Sequence, residues 1–289
     1  MKEGNFTIQN FVCVLKHADG SHMKTVIFYR KLIKVFFMTS LQGDIAFRAD
    51  FAAKLFNTAI MLSGSIGGIL IMFSVHKSFN GWGFYDMLAV TGTFMLIQSL
   101  KELFISPSLS SISGMDGELW TGGFDYTLLK PVSTRFYVSI RHWSPMAVFD
   151  IIISIILLLI SVFESESPKT IGSTAAFLAY LLVAMLILYS LMLLLASAAF
   201  WYLGTPLLWI LNSLMSLGRY PVKIYPVLFR NLLTWVIPVG VIVTLPAEIL
   251  LGRASVIEIT GGVVLGLILY AVAVLFFKAS LKRYSSASS

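Results

Sequence analysis

Six stretches of this chain approach the length needed to cross a bilayer as a helix, and no other feature limits the fold as tightly. About 20 mostly apolar residues, rising about 1.5 Å each, span roughly 30 Å of hydrocarbon. The candidate spans run near Leu55 to Val75, Phe84 to Ile105, Met146 to Phe163, Ala175 to Trp201, Leu232 to Leu251 and Ile259 to Phe277. With 57% hydrophobic and 12% charged residues in 289, the chain is too apolar for a soluble domain of this length. Hydrocarbon offers no water to backbone N–H and C=O groups, so each segment must satisfy them internally. The expected class is therefore an all-α integral membrane protein with six transmembrane helices. The fifth stretch contains Pro238, Pro246 and Glu248, and a proline inside a helix removes a donor and clashes with the preceding turn. A broken or partly re-entrant segment is expected there instead of a straight rod.

The formal net charge of +7 matters through its placement. With the amino terminus inside, all of the 21 Lys and Arg residues except Lys77, Lys169 and Arg253 fall on the cytoplasmic side of these spans. That bias places both termini in the cytoplasm, and Arg219, Lys223 and Arg230 with them in a cytoplasmic connection. The basic residues orient a membrane chain, and no nucleic-acid partner is expected. Residues 24–50 mix Lys24, Arg30, Lys31 and Lys34 with Ile27, Phe28, Leu32, Ile33, Phe36 and Phe37 near helical spacing. An amphipathic helix in the membrane interface is expected, the alternative being a soluble helix packed on another subunit. "GSHM" at Gly20 to Met23 has the form of a cloning remnant, so residues 1–23 are set aside as a leader, and the Ser-rich 285–289 stretch reads as a disordered tail.

Several chemistries are excluded. The single cysteine, Cys13, rules out an intrachain disulfide and a cysteine-based zinc site. His17, His22, His76 and His142 all fall outside the spans without metal-ligand spacing. Ser65 in "GSIG" lacks a base at membrane depth, so Gly64, Ser65, Gly67 and Gly68 read as small residues for close helix packing. No GxxxxGK[ST] loop occurs, and the chain carries no phosphate-binding loop of its own. Asp86, Glu102 and Asp150 lie near span ends as interfacial anchors or local pairs, such as Lys101 with Glu102. Glu248 is more deeply embedded, either lining an outward cavity or sitting at the outer water boundary.

Between the second and third spans the chain reads GELWTGGFDYTLLKPVSTRFYVSIRHWSP, Gly117 to Pro145. A short, glycine-bounded helical segment carries Glu118, Trp120, Phe124, Asp125, Tyr126, Leu128, Leu129 and Lys130, and Pro131 stops it. A solvated connector has no use for so many large apolar side chains, whereas an element that docks on a partner does.

Gly123, Asp125, Leu128, Leu129, Lys130, Pro131 and Val132 in this loop resemble the permease subunits of ABC-2 type ATP-binding-cassette transporters. A second resemblance lies in Tyr220, Pro221, Tyr225, Pro226, Arg230, Pro238, Pro246, Ala247 and Gly252, and in outline the likeness runs from Lys24 to Tyr284. It implies a single permease domain over residues 24–284, with a coupling loop at 107–145. It also implies a second copy or a related permease, membrane lipid around the pair, and two separate P-loop ATPase subunits that bind ATP and Mg. The loop residues Glu118 to Pro131 would seat on the ATPase, and Pro238, Pro246 and Glu248 would lie near an outer gate. The class default is export across a prokaryotic plasma membrane, with no catalysis in this chain, and the aromatic and Met-rich spans suit an apolar or amphipathic cargo. The competing reading is a membrane scaffold or receptor that docks a cytosolic protein or anionic lipid without transport.

Overall fold

Unbroken runs of Leu, Ile, Val, Ala and Phe fold as long helices here, because only intrasegment hydrogen bonds satisfy a backbone surrounded by apolar side chains. The structure is a computed structural model that describes residues 22–46, 48–76, 78–114, 116–165 and 170–284. The expectations for residues 1–21, for the 285–289 tail, and for Lys77 and Lys169 lie outside the described residues. Among these, the order is α1 (His22–Ala46), α2 (Arg48–Val75), α3 (Phe84–Phe104), then short α4 (Ser106–Ser110), α5 (Glu118–Thr121), α6 (Phe124–Leu128) and α7 (Thr134–Ile140). Long α8 (Ala147–Glu164) and α9 (Ile171–Ala198) follow, then α10 (Leu207–Met215), α11 (Val227–Asn231), α12 (Leu245–Leu250) and α13 (Val256–Arg283). No strand occurs among the described residues.

Five of these helices, α2, α3, α8, α9 and α13, are long and apolar enough to cross a membrane. Burial ranks them: 72% of the apolar window of α3 is buried within the protein, against 11% for α2. α3 is therefore the central shaft, α8 packs along it, α9 packs along α13, and α2 stands at the periphery. Small residues set the close approaches, Gly92 of α3 against Leu158 and Gly266 of α13 against Ile187. Lipid tails solvate apolar helices as well as other helices do, so such tight contacts are what hold the bundle together. At one end of the bundle Asp86 accepts from Gly83 N–H at 2.9 Å and pairs with Arg253 Nη2 at 2.7 Å. The opposite end, called the loop end below, carries residues 105–146.

The fifth crossing differs from its sequence assignment. Val227–Val236 and Gly240–Leu250 meet at a bend of 80°, so the break expected from Pro238 is present. Both ends of this bent pair nevertheless lie at one end of the bundle. Asn80 Nδ2 donates to Lys223 O at 3.1 Å just before it, and Arg253 Nη1 donates to Gly81 O at 3.2 Å just after it. It is a re-entrant hairpin, and its second limb is buried from Pro238 to Leu251. The crossing itself is made by Leu207–Ile224, which climbs beside α3. Asn212 Oδ1 accepts from Lys101 Nζ at 2.8 Å near the loop end, and Arg219 O accepts from Thr91 Oγ1 at 3.1 Å farther up. Lys223, and Arg230 in the same pocket, thus leave the loop end on which the charge count had placed them. Gly218 and Pro221 break this crossing into short pieces, and Gly204, Pro206 and Pro226 bound it, so a 20-residue hydropathy window passes over it.

Candidate functional site

The loop after α3 is built on a reversal that only glycine allows. A methyl group on Gly117 would lie 2.6 Å from Ile112 O and 2.7 Å from Ser113 O, both backbone atoms that cannot swing aside. The reversal lets Glu118 N–H donate to Ser111 O at 3.0 Å and Leu119 N–H to Ile112 O at 3.2 Å. Gly122, at φ +75° in the left-handed region, then ends α5 and releases the chain into α6.

One buried guanidinium gathers these pieces. Arg141, 5% exposed, pairs with Glu118 Oε1 and donates from Nη2 to Ser111 Oγ at 2.6 Å and from Nη1 to Thr127 Oγ1 at 3.3 Å. Thr127 donates to the other carboxylate oxygen of Glu118 at 2.9 Å, and the Tyr137 ring lies 5.6 Å below the guanidinium carbon. Burial raises the Tyr137 pKa, and the Arg141 charge opposes that rise. Phe124 is fully buried in edge-to-face contact with Phe200 and Tyr284, both at 5.2 Å. Tyr284 Oη donates to Asp125 Oδ1 at 2.9 Å, and desolvation together with that bond pushes its pKa up to about 12. The loop is thereby fastened to the ends of α9 and α13.

The nine loop residues singled out in the sequence fall into two sets. Glu118, Phe124 and Asp125 hold the loop together from inside. Trp120 (54% exposed), Tyr126 (73%), Leu128 and Leu129 (80%) point outward beside exposed Pro131 and partly buried Lys130. The loop is bonded through its interior and carries an apolar patch on its outside, beyond the end of a span.

α1 rests on the same loop. Tyr29 meets Phe136 at 4.6 Å, Phe36 meets Tyr137 at 5.6 Å and Phe37 meets Trp143 at 5.4 Å, edge to face in each case. Ser40 Oγ accepts from Trp143 N–H at 3.0 Å, and Asp44 Oδ2 accepts from Met146 N–H at 3.2 Å. The apolar stripe expected for interface or subunit thus contributes Phe28 and Leu32 to packing within its own chain.

At the opposite end, Pro238 and Pro246 are buried in the re-entrant hairpin. Glu248, 3% exposed, pairs with Lys223 Nζ at 2.8 Å and lines a pocket of about 390 Å³ with Arg230 and Glu258. Replacing Lys223 by Ala leaves this carboxylate buried without its cation and is expected to cost about 1.5–3 kcal/mol. Thermal unfolding of Lys223→Ala, with and without Glu248→Gln, checks it. The second change should restore much of the loss, and equal unfolding temperatures for Lys223→Ala and the parent would sink the assignment.

A second feature escaped the sequence reading. Between α2, α3 and the Leu207–Ile224 crossing lies a cavity of about 460 Å³, lined by Asn57, Gln98, Lys101, Asn212 and Arg219 among others. It shares Asn57, Thr58, Glu102 and Asp150 with a neighbouring cavity of about 510 Å³ that reaches Asp44 and Trp143 at the loop end. Asp150, read as an interfacial anchor, accepts from Thr58 at 2.8 Å, and Lys101 pairs with Glu102 at 2.9 Å as expected. The signal was present in α2, where Lys54, Asn57, Thr58, Met61, Ser65 and Gly68 recur every three or four residues along one face.

No curated protein and no solved structure matches the chain. A family model described as "ABC-2 family transporter protein" matches residues 59–288, from near the middle of α2 to just past the end of α13. The match takes in the loop after α3, the re-entrant hairpin and most of the polar cleft. A helical, multi-pass architecture accompanies it over well more than half of the length, and the chain belongs to the ABC-2 family of transporter membrane proteins.

Proposed function

We propose that this chain is the membrane-embedded half of an ATP-driven exporter, coupled to a separate P-loop ATPase through α5 and α6. The observation that carries the reading is the apolar surface of Trp120, Tyr126, Leu128 and Leu129 on a loop whose interior is locked by Arg141. Two such permeases, identical or related, pair in a prokaryotic plasma membrane with two ATPases that hold ATP and Mg. The loop end and both termini face the cytoplasm. Closure of the ATPases displaces α5 and α6, the Arg141 network passes the movement to α7 and α1, and α1 passes it to α2 beside the cleft. The re-entrant hairpin, with Pro238, Pro246 and Glu248, closes the exit.

The test is purification of the intact chain from its native membrane in mild detergent, with mass spectrometry of what accompanies it. A stoichiometric P-loop ATPase that disappears when Gly117–Pro131 is replaced by a flexible linker is the expected result. If no ATPase accompanies the intact chain under conditions that preserve other transporter complexes, the scaffold reading replaces this one.

A further inference from the structure

Arg219 stands at the inner end of the polar cleft, near the middle of α3. Its backbone oxygen is bound by Thr91, and its guanidinium carbon lies 6.0 Å from the Phe94 ring centre. Its only hydrogen bond to a side chain among the described residues is Nη2 to Met61 Sδ at 3.3 Å, a weak acceptor. No carboxylate lies within ion-pair distance of it among the described residues, and its Nε is buried without an acceptor. Gln98 Oε1, lining the same cavity, is buried without a donor. Of the other charges of the cleft, Lys101 pairs with Glu102 and donates to Asn212, and Asp150 accepts a hydrogen bond from Thr58.

A cation at this depth is costly unless an anion meets it, and a buried carbonyl oxygen needs an N–H or O–H. We propose that the cleft binds an amphipathic anion, whose acidic group pairs with Arg219 while a neighbouring N–H or O–H donates to Gln98 Oε1. Met61, Phe94 and Met95 supply an apolar wall for its body. The guanidinium fork suits a carboxylate or phosphate. Calling this ligand the transported substrate rests on the transport reading, whereas its binding does not.

The test uses the full chain, without ATPase, in neutral maltoside detergent. Equilibrium binding of radiolabelled dodecanoate is measured in competition with dodecanol and with dodecyltrimethylammonium. The anion is expected to bind at least tenfold more tightly than either competitor, and Arg219→Gln should remove that preference while Arg219→Lys keeps part of it. Equal binding of all three probes by the parent chain overturns the proposal even if the variant fails to fold. So does a variant that loses self-association while keeping its dodecanoate affinity, since Arg219 would then be met by an acid of a second copy. Phosphatidylcholine nanodiscs with and without phosphatidylglycerol identify the source. Displacement of dodecanoate by phosphatidylglycerol points to a lipid headgroup, and no displacement points to a transported acid. Because no ATPase is present, failure here leaves the coupling reading standing, and loss of ATPase recovery leaves this one standing.

Discussion

An Arg141→Ala chain is expected to keep its membrane helices and lose the fold of its 105–146 loop. The change strips Glu118, Ser111 and Thr127 of a shared donor and leaves the Glu118 carboxylate partly buried without a cation, with only the Thr127 hydroxyl donating to it. Breaking such a pair by removing one partner costs about 3–5 kcal/mol in a dry site. Glu118 keeps 28% of its side chain in solvent, so the lower end, about 3 kcal/mol, applies. Hydrogen exchange should show lost protection from Ser111 to Tyr137 with α3, α8 and α9 unchanged. Arg141→Lys should recover only part of it, because a point charge cannot serve three acceptors in the plane of a fork. Unchanged protection in Arg141→Ala would mean that Phe124 and Tyr284 hold the loop by themselves.

A Leu129→Asp chain should behave in the opposite way. Leu129 is 80% exposed and supports nothing inside the loop, so unfolding temperature and hydrogen exchange should match the parent. On the proposed coupling, placing a carboxylate in this apolar surface costs a contact worth about 2 kcal/mol or more, which corresponds to roughly a 30-fold loss of affinity for the ATPase. Trp120→Ala should act in the same direction through lost aromatic contact area. Asp125, by contrast, is spoken for by Tyr284, so charge reversal there would loosen the loop before it touched any partner. Normal ATPase affinity in Leu129→Asp, measured with the purified components, would move the docking surface elsewhere. Together the two variants separate a loop that has unfolded from a loop that is folded and unable to dock.

How far the sequence could be read depended on the range of the interaction. The apolar stretches of α2, α3, α8, α9 and α13 were visible because hydrophobicity over 20 residues is a local property. The break at Pro238 was visible for the same reason, and so was the concentration of large apolar side chains in the loop, of which Trp120, Tyr126 and Leu129 are exposed. What failed to show was pairing over distance. Arg141 meets Glu118 from 23 residues away, and Arg253 meets Asp86 from 167 residues away; no spacing rule connects them. The same limit misplaced Lys223, which looked like a basic residue of a cytoplasmic connection until Glu248 and Asn80 were found beside it. The cleft was hidden because its walls come from three crossings, and the one on Leu207–Ile224 had not been recognised as a crossing.

The peripheral position of α2 has a mechanical consequence. Its side chains are largely exposed, and its two halves meet the bundle differently: the first through Thr58 to Asp150, Lys54 to Ser144 and Met61 to Arg219, the second through fully buried Ile69 and the Phe73 ring, 5.7 Å from Phe84. Apolar surface uncovered between helices in a bilayer is at once covered by lipid, so tilting this helix outward carries little hydrophobic penalty. A few polar contacts hold the first half, while Ile69 and Phe73 fix the second half as the pivot of any tilt. α2 is therefore a hinged wall of the polar cleft, latched by polar contacts toward the loop end and packed by apolar side chains at the other.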